Sequence, residues 1–194
     1  MGAALAREDA WELLCEWVAE APLRRHCLAV EAAMRGQARL RDADEELWGL
    51  TGLLHDLDYE RFPDRETGHP RMAMAELERR GCPVEMVRAI GSHADYMHIS
   101  RDTDMERSLA AVDELSGFVV AVARVRPTGI HGLTPKSVKK KLREASFAAA
   151  VSREDVTATA EALGVDFDEH VRNVIAALEP EAAALGIDGQ TQAP

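Results

Sequence analysis

A chain of 194 residues, 46% of them hydrophobic, is long enough to bury roughly 70% of its unfolded surface as one domain, so stability needs no disulfides. Its formal net charge of −11 argues against general binding to nucleic acid, whose phosphates demand a basic surface. No apolar run approaches the ~20 residues that span a bilayer, and the opening MGAALAREDAWELL has no basic region followed by an apolar core, which points to a cytoplasmic protein without membrane attachment. Cys15, Cys27 and Cys82 form no C-x-x-C pair and read as reduced, packed thiols.

Apolar residues recur at three- and four-residue spacing and strand-like alternation is scarce, so the chain is expected to be all-α. A first helix over about 7–19 puts Trp11, Leu14, Cys15 and Val18 on one face, and a second covers about 23–38 after Pro22. The third begins near Asp42 or Asp44 and carries Leu47, Leu50, Leu53 and Leu54 toward His55. The stretch DLDYERFPDRETG, with Pro63, Gly68 and many charges, is a loop, and a loop of that length beside polar residues is more often functional than idle. A fourth helix over about 69–80 stops at Gly81, Pro83 opens a fifth that ends near His93, and a sixth runs from about 104 to 126.

Thr134 and Pro135 supply a cap and first turn for a basic helix through about 149. Ser152 and Asp155 cap the next helix, which ends at Gly164. The last covers about 167–185 with a break at Pro180. The expected division is a core domain over 1–150, further helices over 151–186 packed on it, and a flexible tail over 187–194. Trp11, Trp17 and Trp48, with Met72, Met74 and Met86, read as packing between helices.

Polar side chains on apolar faces carry the chemical information. GLLHDLDY delivers His55 and Asp56 out of an apolar helix, and Asp113 is flanked by apolar and small residues with no Lys or Arg within a turn on its face. A buried carboxylate needs a cation or donors. His26 lies among Leu23, Cys27 and Val30, His69 follows Gly68, and His93 follows Val87 and Ile90. A single helical histidine is ordinarily a hydrogen-bonded packing residue. Four imidazoles and two carboxylates on successive helices of one bundle suit one or two divalent transition metals such as iron, manganese, cobalt or nickel, and exceed the ligands of one tetrahedral zinc. Two metals sharing Asp56 is the natural arithmetic.

The ordered set His26, His55-Asp56, His69, His93 and Asp113, over roughly residues 20–125, resembles the HD-domain superfamily of metal-dependent phosphohydrolases. GHPRMAMAELERRG is similar to the helix that follows its pair motif and AAVDELSGFVVA to its final aspartate helix. LTPKSVKKKLREASFA resembles the tail of a bacterial group of HD-type hydrolases. The resemblance implies an HD-type helical bundle with a C-terminal helical extension. It also implies that His26, His55, Asp56 and Asp113 bind one metal while His69 and His93 complete a second. Asp58 stands where the His-Asp-Ile-Gly version has Gly, and Ala94 where many relatives have a second His.

Water activated by the metals is then expected to attack a small phosphorylated metabolite or nucleotide. Asp56 and Asp58 are the catalytic carboxylates, Asp58 as general base or as a group that orients a histidine, with Glu60 a weaker candidate beside it. The segment KSVKKKLR, with five positive charges in eight residues, could fold back so that Lys136, Ser137, Lys139 and Lys140 meet phosphate together with Arg124 and His98; equally, it is a solvated basic face on an acidic protein. Two other classes share the ligand set: a mixed-valence di-iron oxygenase of HD type, and a non-catalytic metal-binding or regulatory module. The chain is expected to be a monomer or a homodimer.

Overall fold

A computed structural model describes residues 5–189. Every regular element among them is helical: α1 (Arg7–Trp17), α2 (Ala21–Leu40), α3 (Glu45–Leu54), α4 (Arg71–Arg79), α5 (Val84–His93), α6 (Asp104–Arg124), α7 (Pro135–Leu142), α8 (Arg153–Ala162), α9 (Phe167–Leu178) and the single turn α10 (Ala182–Leu185). Short 3₁₀ turns occupy Asp95–Met97 and Glu179–Glu181. No helix among the described residues is long and apolar enough to cross a membrane.

Local chemistry explains the helix starts. Asp44 accepts the Leu47 N–H at 3.0 Å to cap α3. Thr103 and Glu106 cap α6 reciprocally, and the buried Glu106 carboxylate also pairs with Arg88 Nε of α5 at 2.7 Å. Pro22 and Pro135 sit in the first turns of α2 and α7, where a missing N–H leaves no helical bond unmade.

Two apolar clusters form the interior. In one, Val30, Met34 and Ala38 of α2 meet Leu115, Phe118 and Val119 of α6 and Val171, Val174 and Leu178 of α9. In the other, Leu13 and Leu14 of α1 meet Leu50, Leu53 and Leu54 of α3, Leu77 of α4 and Met86 and Ile90 of α5, with Cys27 of α2 among them. Helix α2 therefore lies between the halves. Its Glu31, almost wholly buried, is held by Arg7 Nη2 at 2.9 Å and Arg35 Nη2 at 3.0 Å, and two guanidinium groups compensate that buried charge.

Helix α3 approaches α2 so closely at Gly52 that a Cβ there would stand 2.7 Å from the Val30 carbonyl oxygen and 3.0 Å from the Glu31 nitrogen. Only glycine permits that contact, because the atoms it meets are backbone and cannot swing away.

The C-terminal third departs from expectation in two places. Helix α7 ends at Leu142 instead of near residue 149. The Arg153 guanidinium draws the following segment into turns by donating to the carbonyls of Phe147, Ala148 and Val151, and Phe147 packs edge-on against Phe118 at 5.7 Å. The expected tail over 187–194 begins too early: Ile187 is buried, its carbonyl accepts the Ile130 N–H at 2.8 Å, and His131 bridges Glu179 at 3.1 Å and Asp188 at 2.7 Å. Residues 190–194 of that tail lie outside the described residues. The break at Pro180 is the 3₁₀ turn between α9 and α10.

Replacing Gly52 by Ala should push α2 and α3 apart at a cost of about 1–3 kcal/mol, lowering the thermal midpoint by roughly 3–10 °C. Thermal denaturation measures it; an unchanged midpoint would mean that the helices separate without penalty.

Candidate metal centre

The six residues singled out in the sequence meet where the halves of the bundle join. His26 comes from the second turn of α2, His55 and Asp56 from the end of α3, His69 from just before α4, His93 from the last position of α5 and Asp113 from the middle of α6. Histidine rings stack edge-on along the row: His26 to His55 at 5.2 Å, His55 to His93 at 5.2 Å, and His93 to His69 at 5.1 Å.

Asp56 stands between two histidine couples. Its Oδ2 lies 3.7 Å from His26 Nε2 and 3.4 Å from His55 Nε2, while its Oδ1 lies 3.6 Å from both His69 Nε2 and His93 Nε2. Asp113 Oδ1 closes the first couple at 3.0 Å from His26 and 3.3 Å from His55. Ligand atoms at about 2.1 Å from a shared transition metal are themselves about 3–3.5 Å apart, so these separations fit metal ligation. The ligand atoms of His26, His55 and Asp113 lie within 4.8 Å of one another, as do those of His55, Asp56 and His93; His69 joins through Asp56.

Backbone carbonyls settle which ring nitrogens face the cluster. His55 Nδ1–H donates to the Gly52 carbonyl at 2.8 Å, and His93 Nδ1–H donates to Ile90. Each leaves Nε2 with its lone pair toward the cluster. His55 Nε2 is fully buried and has no hydrogen-bond partner among the described residues, as suits an atom that would bind a metal. The donor set therefore fits metal.

Electrostatics agree with a site built for positive charge. Burial would raise both aspartates, yet His55 and its neighbours hold Asp56 and Asp113 well below the usual carboxylate range. Burial would lower His55, but Asp56 and Asp113 drive it well above the ordinary imidazole range. Cys27, packed beside them, is pushed up to about 12 by burial, and a thiol so reluctant to ionise is an inert packing group. Cys82 is also buried and Cys15 partly so.

Asp58 is fully buried. Its Oδ1 accepts from His69 Nδ1 at 2.7 Å and its Oδ2 from the Ala73 N–H at 2.8 Å. With both oxygens engaged away from solvent, the general-base expectation for Asp58 is replaced by the orienting one. Glu60 serves the fold instead: its oxygens accept the Ala19 and Glu20 N–H groups at 3.3 and 2.9 Å between α1 and α2.

A cavity of about 490 Å³ opens over the cluster. Of the expected phosphate-binding groups, Arg124, Lys136, Ser137, Lys139, Lys140 and His98, none lines it. Arg124 lies three turns beyond Asp113, about 16 Å along α6, and its Nη2 donates to the Leu185 carbonyl. Helix α7 packs on α9 and α6 away from the cluster, Lys139 pairs with Asp168 at 2.7 Å, and the Ser137 hydroxyl meets that of Thr134. His98 is exposed in a left-handed turn, with φ 53°.

The cations at the cavity are Arg65 and Arg101, with Tyr59 and Tyr96 beside them. Arg65 lies over the Tyr96 ring at 5.4 Å, and the Tyr96 hydroxyl donates to the His69 carbonyl at 3.0 Å. Arg101 donates to the Ser92 and His93 carbonyls at 2.9 Å and pairs with Asp95. The sequence signal for Arg65 was the long charged loop; for Tyr96 and Arg101 there was none beyond proximity to His93.

In Asp58→Asn, the Ala73 N–H would claim the amide oxygen, leaving the NH₂ to face His69 Nδ1. That favours the tautomer with Nε2 protonated, which cannot bind metal. Metal affinity, read by chelator competition, should fall about 10- to 100-fold while helicity by circular dichroism is kept; undiminished affinity would show that Asp58 does not set the ring.

The family described as HD domain matches the chain over residues 23–123, a span that contains all six residues of the cluster. No curated protein and no solved structure matches it. With about half of the chain matched and a buried His/Asp cluster that can bind metal at its centre, the protein belongs to the HD-domain family.

Proposed function

We propose that the protein is a metal-dependent phosphohydrolase acting on a small phosphorylated molecule. The observation that carries this reading is the split of Asp56, whose two oxygens each face a different pair of histidine Nε2 atoms, the arrangement of a carboxylate shared between two metal positions. When bound there, divalent transition metals supply Lewis acidity that activates water near neutral pH and screens phosphoryl charge.

The protein's own groups supply the rest. Asp58 and the carbonyls of Gly52 and Ile90 fix the histidine rings. Arg65 makes no ion pair among the described residues, and its position over Tyr96 at the mouth of the cavity suits it to meet phosphoryl oxygens that project beyond the cluster. A cavity of about 490 Å³ is of a size that takes a metabolite or a mononucleotide.

Protein purified without added metal, then loaded with manganese, cobalt or iron and assayed on a panel of phosphomonoesters, tests the proposal. One or two equivalents of metal with phosphate release are expected, and Asp56→Ala should lose both metal and at least about 100-fold in rate. Arg65→Ala should raise KM about 3- to 10-fold with a smaller change in kcat. Two bound irons without phosphate release from any substrate would move the assignment to oxygen chemistry, and failure to bind any metal would remove it altogether.

A further inference from the structure

Tyr96 stands in the 3₁₀ turn that follows His93, half-buried in the wall of the cavity over the cluster. Arg101 fixes that turn: it donates to the Ser92 and His93 carbonyls at the end of α5 and pairs with Asp95, the neighbour of Tyr96. Within the turn the Met97 N–H donates to the Ala94 carbonyl at 2.9 Å and the His98 N–H to the Asp95 carbonyl at 3.0 Å. From this fixed point Tyr96 makes two contacts through different atoms. Its hydroxyl donates to the His69 carbonyl at 3.0 Å, and its ring lies beneath the Arg65 guanidinium at 5.4 Å.

The ring contact matters because nothing else aims Arg65. Its backbone is held on both sides: Asp64 accepts the Glu66 and Thr67 N–H groups at 3.0 and 2.7 Å, and Arg71 donates to the Arg65 carbonyl at 2.6 Å. The guanidinium itself has no hydrogen bond or ion pair among the described residues, and the residue is exposed. A long exposed side chain of this kind spreads over many rotamers unless something holds it, and the face of an aromatic ring attracts a guanidinium. The hydroxyl contact is of another kind. It ties the main chain at His69 to the turn after His93, and these are the two histidines that face Asp56 Oδ1, while the His69 ring is oriented separately by Asp58.

We infer that Tyr96 is a positioning residue with two separable tasks: its ring presents Arg65 to the phosphoryl group of the substrate, and its hydroxyl holds the His69 backbone in register with His93 for metal. The inference rests on the phosphohydrolase reading for what Arg65 meets, and adds the residue that sets where Arg65 stands. Phenylalanine keeps the ring and removes the hydroxyl, whereas leucine removes both. Tasks carried by different atoms separate in these two variants, and the ring's task disappears once Arg65 itself is gone.

Methylphosphonate, which cannot be hydrolysed, titrated calorimetrically into the full chain with manganese in excess reads the first task, and chelator competition for manganese reads the second. Tyr96→Phe should bind methylphosphonate within about twofold of the unaltered protein while its metal affinity falls about 2- to 10-fold. Tyr96→Leu should show the same metal loss and also bind methylphosphonate about 2- to 5-fold more weakly. In Arg65→Ala/Tyr96→Leu the phosphonate affinity should match that of Arg65→Ala alone. Circular dichroism checks each fold; should Tyr96→Leu not fold, Tyr96→Met takes its place with the same expectations, and Tyr96→Phe still tests the hydroxyl. The inference is overturned, with the phosphohydrolase reading left in place, by a phosphonate loss in Tyr96→Phe as large as in Tyr96→Leu, by an unweakened Tyr96→Leu beside a weakened Arg65→Ala, by additive losses in the double variant, or by unchanged metal affinity in Tyr96→Phe. Absence of phosphonate binding by the unaltered protein would overturn it together with that reading.

Discussion

Burying two aspartates among four histidines is the constraint on which the rest of the molecule turns. In water such groups are well solvated; in the interior each carboxylate needs positive charge and each imidazole needs a defined proton. Asp56 meets that demand by standing between two histidine couples, with an oxygen toward each. The couples are held by bonds on their far sides: His55 to Gly52, His93 to Ile90 and His69 to Asp58. Loosening any of these lets a ring turn and the cluster lose its geometry.

The fold can be understood as the device that keeps this cluster in place. Gly52 lets α3 lie against the backbone of α2, which sets His26 and His55 edge to edge. The same glycine's carbonyl fixes the His55 proton, so one small residue governs both helix packing and ligand chemistry. The apolar halves of the interior meet along α2, and the polar cluster sits at their junction, where side chains from five segments can converge without any one helix turning its polar face inward.

The C-terminal helices add to this centre instead of standing apart from it. Arg153 folds the segment after α7 into turns, bringing Ala150 and Val151 to the cavity, and α8 lays Asp155 and Thr159 over it. The cavity therefore draws on different parts of the chain: the cluster comes from α2 through α6, and much of the surrounding wall from the loop carrying Arg65 and from α8.

Sequence alone determined the helical class, the order of the helices and the six residues of the cluster, because helical periodicity and polar residues on apolar faces are local signals. His26, His55, Asp56, His93 and Asp113 were legible since each violates the apolar pattern around it, whereas His69, in a polar stretch after Gly68, was legible only through the resemblance of the whole ordered set. The end of α7 was not, because the turns after Leu142 depend on the guanidinium of Arg153, far along the chain from the end of the helix. The role of Asp58 needed the fold to show both its oxygens engaged. The expected phosphate contacts failed for the same reason: a run of lysines announces charge but carries no information about which side of the bundle it will face. Only tertiary packing placed α7 against α9 and put Arg65, Arg101, Glu114 and Asp155 around the cavity, since long-range contacts between helices, not local spacing, decide what lines a cleft.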